Sequence, residues 1–595
     1  MIAFLRVAQS ILVGALNGLA KFALVLILIF AALVVVGLTH GDGLPKNIVL
    51  ALDLRQAMQD SAVRGPFDFG DHRATVMNVV LALDAAERDS RVKGVYVRVG
   101  SADMSIAQAE EIGQALKRFR KSGKFVIAHS QGFDGSSLGD YLAASSANQI
   151  WMQPNSIFGA SGEGAGAVFL RGLFDKIQAE PQIAKRAEYK SAADMFMEKD
   201  YTPANREETQ ALLQSWYTAA TVEAAAARRL TPKAVAAVFD ASPQFASNAK
   251  SAGMIDRIGY DDDARSAALA AAGSDAKIVS ITDYGNTKVH DTKYGDGPRV
   301  ALIQAAGEIV DGTAGGGPFD GSKVIAGDDL SRAIREATKD SNIKGIILRV
   351  DSPGGSVTAS DQILNAVRKA QLAGKPVVVS MGSLAASGGY YISCSANKIV
   401  AQPGTLTGSI GVLTGKVSVG KSLELVGVTA KDMGIGKNAL MDSSVSPYTD
   451  EQWANLNRQA DAIYADFTQK VAAGRKLPLA KVQDIARGRV WTGADAKSRG
   501  LVDQLGGFWT AVADVKQLMG VSADQRVSFQ LYPKEKGLWQ AFNSVFSASS
   551  ATMKAMEGFH TLMSTPAARI LVRAVDEAPR GGVEMRAPNL PAANY

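Results

Sequence analysis

Cysteine is all but missing from this chain. Cys394 is the only one in 595 residues, so no disulfide can form within the molecule. A disulfide-stapled scaffold is excluded, while the redox compartment stays open, because an oxidising compartment does not oblige a protein to have disulfides. Cys394 sits in the apolar run YYISC and reads as a small buried hydrophobe rather than a nucleophile. Basic runs are missing too. The net charge of +6 is spread thinly, and no long Lys/Arg run or extended basic–aromatic stripe suggests a nucleic-acid partner. No HExxH motif occurs, and neither a metal nor a cofactor is expected. Histidine is scarce: His40, His72, His129, His290 and His560 are the only five.

What is present begins with one long apolar run. Phe22–Leu38 holds no charged residue, and Ile11–Ala20 extends it with Asn17 as its polar interruption. This approaches the ~20 residues that span a bilayer. No A-x-A-like site follows in VGLTHGDGLP, which disfavours a removed signal peptide. Arg6 and Lys21 precede the apolar core, whereas His40, Asp42 and Lys46 follow it. The positive-inside bias then places residues 1–14 in the cytoplasm, 15–38 across the membrane as a single-pass anchor, and the remainder on the exported side. In a Gram-negative bacterium that means the inner membrane and the periplasm.

The rest of the chain says one thing twice. KGVYVRV at Lys93–Val99 returns as KGIILRV at Lys344–Val350. Asp140–Ile150 (DYLAASSANQI) matches Tyr390–Ile399 (YYISCSANKI), and Asn248–Gly259 (NAKSAGMIDRIG) matches Asp495–Gly506 (DAKSRGLVDQLG). The order is kept at a spacing of about 250 residues, far beyond the ~20–50 residues of a solenoid unit. This is a duplicated domain, and the chain is long enough for two cores.

Each copy alternates β-branched apolar runs with helical patterns. Strands are expected at Asn47–Leu54, Gly94–Val99 and Phe125–His129, with helices near Thr75–Glu87 and Ile106–Arg120. The second copy repeats the order: strands at Arg299–Gln304, Gly345–Val350 and Pro376–Ser380, helices at Asp328–Lys339 and Ser360–Leu372. This predicts an α/β fold around a buried, mostly parallel sheet in each copy. Domains are expected at 46–282 and 299–527, joined by a polar linker at 283–298 and followed by a tail at 528–595.

The copies disagree where chemistry is expected. In the second, DSPGGS (Asp351–Ser356) follows an apolar strand, where paired glycines let the backbone approach a substrate and aim N–H groups into a cleft. SGGYY (Ser387–Tyr391) opens an apolar helical segment, and GTLTGSIGVL (Gly404–Leu413) holds Ser409 in a glycine-rich turn. In the first copy the PGG position reads ADM (Ala102–Met104), and Ala160 stands opposite Ser409, with Ser161 one residue off register as a shifted alternative. A nucleophile and its oxyanion donors are useful only together, which favours the second copy as their carrier.

A serine hydroxyl needs a base. None of the histidines falls in the second-copy core, and His129 ends a first-copy strand, where a structural role is expected. Lysine is the alternative, provided burial lowers its pKa from ~10.4 toward ~7–8. Lys190 in AEYKSAADMF and Lys437 in GIGKNALMD occupy matching places in the two copies. A lysine is ordinarily a solvated surface residue, so neither is compelling alone. Lys190 is raised by the pattern YKSA in a copy without its own serine; Lys437 is the rival for a dyad within the second copy.

Taken together, DSPGGS, SGGYY, TGSIGV (Thr407–Val412), YKSA (Tyr189–Ala192) and GRVWTGADAKSRGLVDQLGG (Gly488–Gly507) resemble the signal peptide peptidase A family in its long tandem-domain bacterial form. The resemblance runs from the anchor through about residue 520 and implies tandem Clp protease/crotonase-like domains, a Ser–Lys dyad and a homo-oligomer, a tetramer, at the membrane surface. It further implies Ser409 as nucleophile and Lys190 as general base. Lys437 departs from the family pattern. The implied oxyanion donors are the N–H groups of Gly355 and Ile410. The implied substrates are remnant signal peptides and other apolar peptides, held in a groove near Gly354, Ser356, Val357, Leu384, Ser387 and Gly388. Two other readings use the same fold: a crotonase-like acyl-CoA enzyme and a non-catalytic membrane scaffold.

Overall fold

The computed structural model describes residues 42–61, 74–102, 104–133, 138–289, 297–314, 324–533 and 584–586. The expected anchor at 15–38 lies outside these residues, as does most of the expected tail. Among the described residues no helix is long and apolar enough to cross a membrane.

The first copy forms a six-stranded sheet in the order Arg257–Ile258, Gln149–Met152, Phe125–Ser130, Val92–Val99, Ile48–Asp53 and Lys277–Ser280, parallel throughout. The second copy repeats that order with Gln504–Leu505, Lys398–Ala401, Val377–Ala386, Ile343–Ser352, Arg299–Ala306 and Ser528–Tyr532. Here the strand Val377–Ala386 runs on past Ser380 and takes Leu406–Gly408 as a second partner. Antiparallel Val490–Thr492 closes that edge. The central strands are apolar on both faces because helices cover both, as buried parallel strands require.

The helices start where their caps predict. Thr75, Ser105 and Ser356 each accept a backbone N–H from the residue three further on, at the heads of Val76–Arg88, Ile106–Lys121 and Val357–Leu372. A side-chain oxygen at this position satisfies one of the N–H groups a helix leaves open, worth about 1 kcal/mol.

Two expected boundaries move. The linker was expected from residue 283, but Ile281–Lys288 is a helix capped by Ser280. Its Tyr284 is buried in the first core and donates to Asp89 Oδ2 at 3.3 Å. The second domain was expected to end at residue 527, but Ser528–Tyr532 is a strand of its sheet, with Phe529 and Tyr532 buried.

The copies are fused rather than tethered. Val300, Leu302, Ile347, Val378 and Val400 of the second copy belong to the same apolar cluster as Leu50, Val97 and Ala128 of the first. Full burial of such side chains stabilises by about 1.5–3 kcal/mol each. One buried cation crosses the same interface. Arg349 pairs with Asp60 at 2.6 Å and with Glu111 at 3.0 Å, both from the first copy. A third, mixed sheet completes the union. Glu180–Arg186 of the first copy pairs antiparallel with Val412–Ser418 of the second, Arg186 opposite Val412. That pairing brings the chain leading to Lys190 beside the chain leaving Ser409.

Candidate active site

Ser409 follows the strand Leu406–Gly408 at a tight turn. Gly408 has φ +80° and Ser409 itself φ +49°, a left-handed conformation that is uncommon outside glycine. The Ser409 N–H is held by the Arg489 carbonyl at 2.7 Å. On the other side, Tyr189 N–H donates to Arg487 O, and Lys190 turns its side chain inward. Two glycines make room for it. A Cβ on Gly411 would lie 2.6 Å from Arg186 O and 3.2 Å from Lys190 Cδ, and one on Gly488 would lie 2.6 Å from Lys190 N.

Lys190 and Ser409 are both fully buried. The Lys190 Nζ lies 2.9 Å from Ser409 Oγ, 2.8 Å from Ser387 Oγ and 3.0 Å from the Ser409 carbonyl oxygen. A neutral amine has two N–H donors and one lone pair. It fills this set when the lone pair accepts the Ser409 O–H and the N–H groups go to Ser387 Oγ and the carbonyl. Burial favours that neutral form, holding Lys190 well below its ordinary 10.5, with Glu208 nearby pulling the other way.

Lys437 stands elsewhere. Its side chain is 79% exposed and pairs with Glu451 at 3.3 Å. Ser161 is part-exposed on the first copy, where the neighbouring Ala160 is buried. His129 is buried at the end of its strand, with Nε2 3.2 Å from Gly259 O. Cys394 is buried, and burial pushes its thiol up to about 11.

The glycine strand Gly354–Ser356 has Gly354 at φ +107° and Gly355 at φ +142°. A Cβ on Gly355 would lie 2.1 Å from Ile309 O, so no other residue fits there. Gly388 packs on the same strand: its Cβ would lie 3.1 Å from Gly355 N. Ile410 is buried directly after Ser409, and its carbonyl accepts from Gly488 N at 2.9 Å. Leu384 lies on the extended part of its strand, with its N–H on Asp351 Oδ1 at 3.0 Å. Asp351 is itself part-buried, and desolvation pushes it up to about 7. Ser356 and Val357 form the head of the following helix; the Ser356 hydroxyl caps it and donates to Asp311. Ser387 was expected in the groove wall. Its hydroxyl lies instead against the Lys190 amine, in a backbone with φ +56°.

One segment of the expected tail reaches this cleft. Glu584–Arg586 lies antiparallel to the glycine strand, with Gly354 opposite Arg586, Gly355 opposite Met585 and Ser356 opposite Glu584. Glu584 also lies opposite Leu413, on the strand that leaves Ser409. The cleft therefore accepts an extended main chain between two strands of the second copy.

Sequence reasoning missed Glu208, which is buried beside Lys190 on the long helix Pro203–Arg228. Its surroundings, NREETQ, carry the polar pattern of a solvated face.

Residues 118–275 and 369–522 match the sequence pattern of peptidase family S49, and residues 330–405 match that of Clp protease. The chain is 33% identical to the serine protease SPPA, chloroplastic, of Arabidopsis thaliana, over 81% of this chain and 71% of that one. It is 32% identical to Protease 4 of Salmonella typhi, over 88% of this chain and 83% of that one. Protease 4 of Haemophilus influenzae is 31% identical over 77% and 76% of the two chains. The acyl-CoA and scaffold readings give way to these matches: two copies of one peptidase pattern, joined through a buried serine and lysine, belong to a serine peptidase of family S49.

Proposed function

We propose that this protein is a membrane-anchored Ser–Lys peptidase that degrades remnant signal peptides after preprotein processing. Ser409 is the nucleophile and Lys190, from the other copy, is its base. Neutral Lys190 Nζ takes the Ser409 proton as Oγ attacks a peptide carbonyl carbon. The Oγ–C bond forms and the carbonyl becomes an oxyanion, held by the N–H groups of Gly355 and Ile410. One such donor commonly contributes ~2.7–4 kcal/mol of barrier lowering. The tetrahedral centre then collapses, the C–N bond breaks, and the Lys190 ammonium gives its proton to the leaving amine. Water repeats the sequence on the acyl-enzyme, with Lys190 again taking the proton, and frees Ser409.

The observation that carries this reading is the 2.9 Å contact between Lys190 Nζ and Ser409 Oγ, both of them fully buried. The extended pairing of Glu584–Arg586 with the glycine strand supports a peptide bound by strand addition, with main-chain bonds for affinity and small or aliphatic side chains near Leu384 and Gly388 for selection. The apolar segment at 15–38 would hold the chain on the bilayer where remnant signal peptides remain, with residues 1–14 cytoplasmic and both domains periplasmic. The family resemblance adds a homo-oligomer, with the tetramer as its expected form.

The test is cleavage of a synthetic signal peptide embedded in vesicles that carry the full chain. The reading requires the peptide to disappear with the wild-type protein and to persist with Ser409→Ala. Persistence with both proteins, beside rapid cleavage of soluble polar peptides, would remove the substrate assignment.

A further inference from the structure

We propose that Glu208 is a positioning residue of this active site, clasping the lysine loop of one copy to the serine-bearing sheet of the other and presenting a carboxyl group to the Lys190 amine. The inference rests on the Ser409–Lys190 reading above.

Glu208 is 1% exposed on a helix of the first copy. Its Oε1 accepts the Ser191 hydroxyl at 3.1 Å, and its Oε2 accepts the Val490 N–H at 2.8 Å. Both partners are one step from the dyad. Ser191 follows Lys190 in the chain. Val490 lies opposite Gly408 on the edge strand, and the carbonyl before it, Arg489 O, holds the Ser409 N–H. A single carboxyl group thus fixes the base and the nucleophile relative to each other across the junction of the copies.

The helix is laid along an open sheet edge. An edge strand presents unpaired N–H and C=O groups that must be covered. Glu208 takes the Val490 N–H, Ser215 Oγ meets Thr492 Oγ1 at 2.9 Å, and Trp216 Nε1 donates to Gly404 O at 2.9 Å. Glu207 pairs with Arg489 at 2.7 Å at the outer end, and the Arg489 guanidinium stacks over Tyr189 and Trp491.

An amide could make the same two hydrogen bonds with less desolvation. A buried carboxyl group has a cost, since burial pushes Glu208 up to about 8. Its distinctive effect falls on Lys190, whose ammonium it favours. That ammonium appears when Ser409 gives up its proton, in a buried site, and it and Glu208 favour each other's charged forms there. The proton stays on Lys190 Nζ until the leaving amine takes it; no bond forms or breaks at Glu208. The charged groups facing Glu208 are Lys190 from the loop and Arg489 from the edge strand, with Glu207 adjoining on the same helix.

The experiment compares Glu208→Gln, Glu208→Ala and Ser409→Ala in the full chain, with a fluorogenic apolar peptide read across pH. Gln keeps both bonds, its carbonyl accepting from Val490 and its NH2 donating to Ser191. We expect it to retain kcat far better than Ala while its rate profile departs from wild type around pH 8, where Glu208 takes its charge. Ala releases the clasp, and kcat falls about 10²-fold with KM unchanged, the loss that an ångström-scale misplacement produces. Two results overturn the inference: a Gln profile that coincides with wild type across the whole pH range, or an Ala variant with wild-type kcat. If Ala does not fold, the Gln profile decides. Turnover by Ser409→Ala would instead sink the dyad reading itself, so the two failures are distinguishable.

Discussion

Lys190 and Ser409 stand 219 residues apart in the chain and 2.9 Å apart in space, Nζ to Oγ. Each comes from a different copy of one duplicated domain, and neither copy holds the pair alone. Removing either side should therefore remove nearly all activity. Ser409→Ala and Lys190→Ala are each expected to abolish peptide cleavage, whereas Lys437→Ala, altering an exposed lysine paired with Glu451, leaves it near wild type. Steady-state cleavage of an apolar peptide checks all three.

The buried amine also sets a pH dependence of stability. Folded Lys190 is neutral well below 10.5, while in the unfolded chain it takes up a proton up to ~10.4. The unfolded state thus binds more protons through that window, so this residue lowers stability at neutral pH and the deficit shrinks as pH rises toward 10.5. Lys190→Met should raise Tm at neutral pH, with a gain that fades above pH ~10. Thermal melts at several pH values check the sign.

Gly355 is held at φ +142° with Ile309 O in the space a Cβ would need. Gly355→Ala must shift the glycine strand and its N–H. We expect kcat to fall about 10²–10³-fold, the usual loss for one oxyanion donor, with Ser409 still present and the copies still joined. Burst kinetics with an activated ester separate this from a folding defect.

Arg349 is the buried cation between Asp60 and Glu111. Arg349→Leu leaves two carboxylates without their partner at the junction of the copies. The expected destabilisation is about 3–5 kcal/mol, measured by urea unfolding.

The segment Glu584–Arg586 lies on the glycine strand that substrate is expected to use. Ending the chain after Pro533 should free that edge and lower KM for added peptides, while kcat changes little. A KM equal to that of the full chain would mean that the segment does not compete.

Much of this was legible in the sequence because it is local or repeated. The alternation of buried strands and capped helices is written in period and cap, as at Thr75 and Ser356. The difference between DSPGGS and its first-copy counterpart marked the glycine strand. The pairing of Glu180–Arg186 with Val412–Ser418 was not legible, since an antiparallel contact over so long a separation leaves no trace in either segment. Ser528–Tyr532 was missed because its counterpart Lys277–Ser280 shares its position in the sheet and almost none of its residues. Ser387 was recognised as special, but its contact with the amine depends on a lysine from the other copy.

The division of labour between the copies is tested most directly by an active-site serine phosphonate, with the modified residue located by mass spectrometry and its rate followed across pH. The account predicts modification of Ser409, a rate that rises through an apparent pKa well below 10.5, and loss of labelling in Lys190→Ala but not in Lys437→Ala. Modification at Ser161, or undiminished labelling of Ser409 without Lys190, would contradict it.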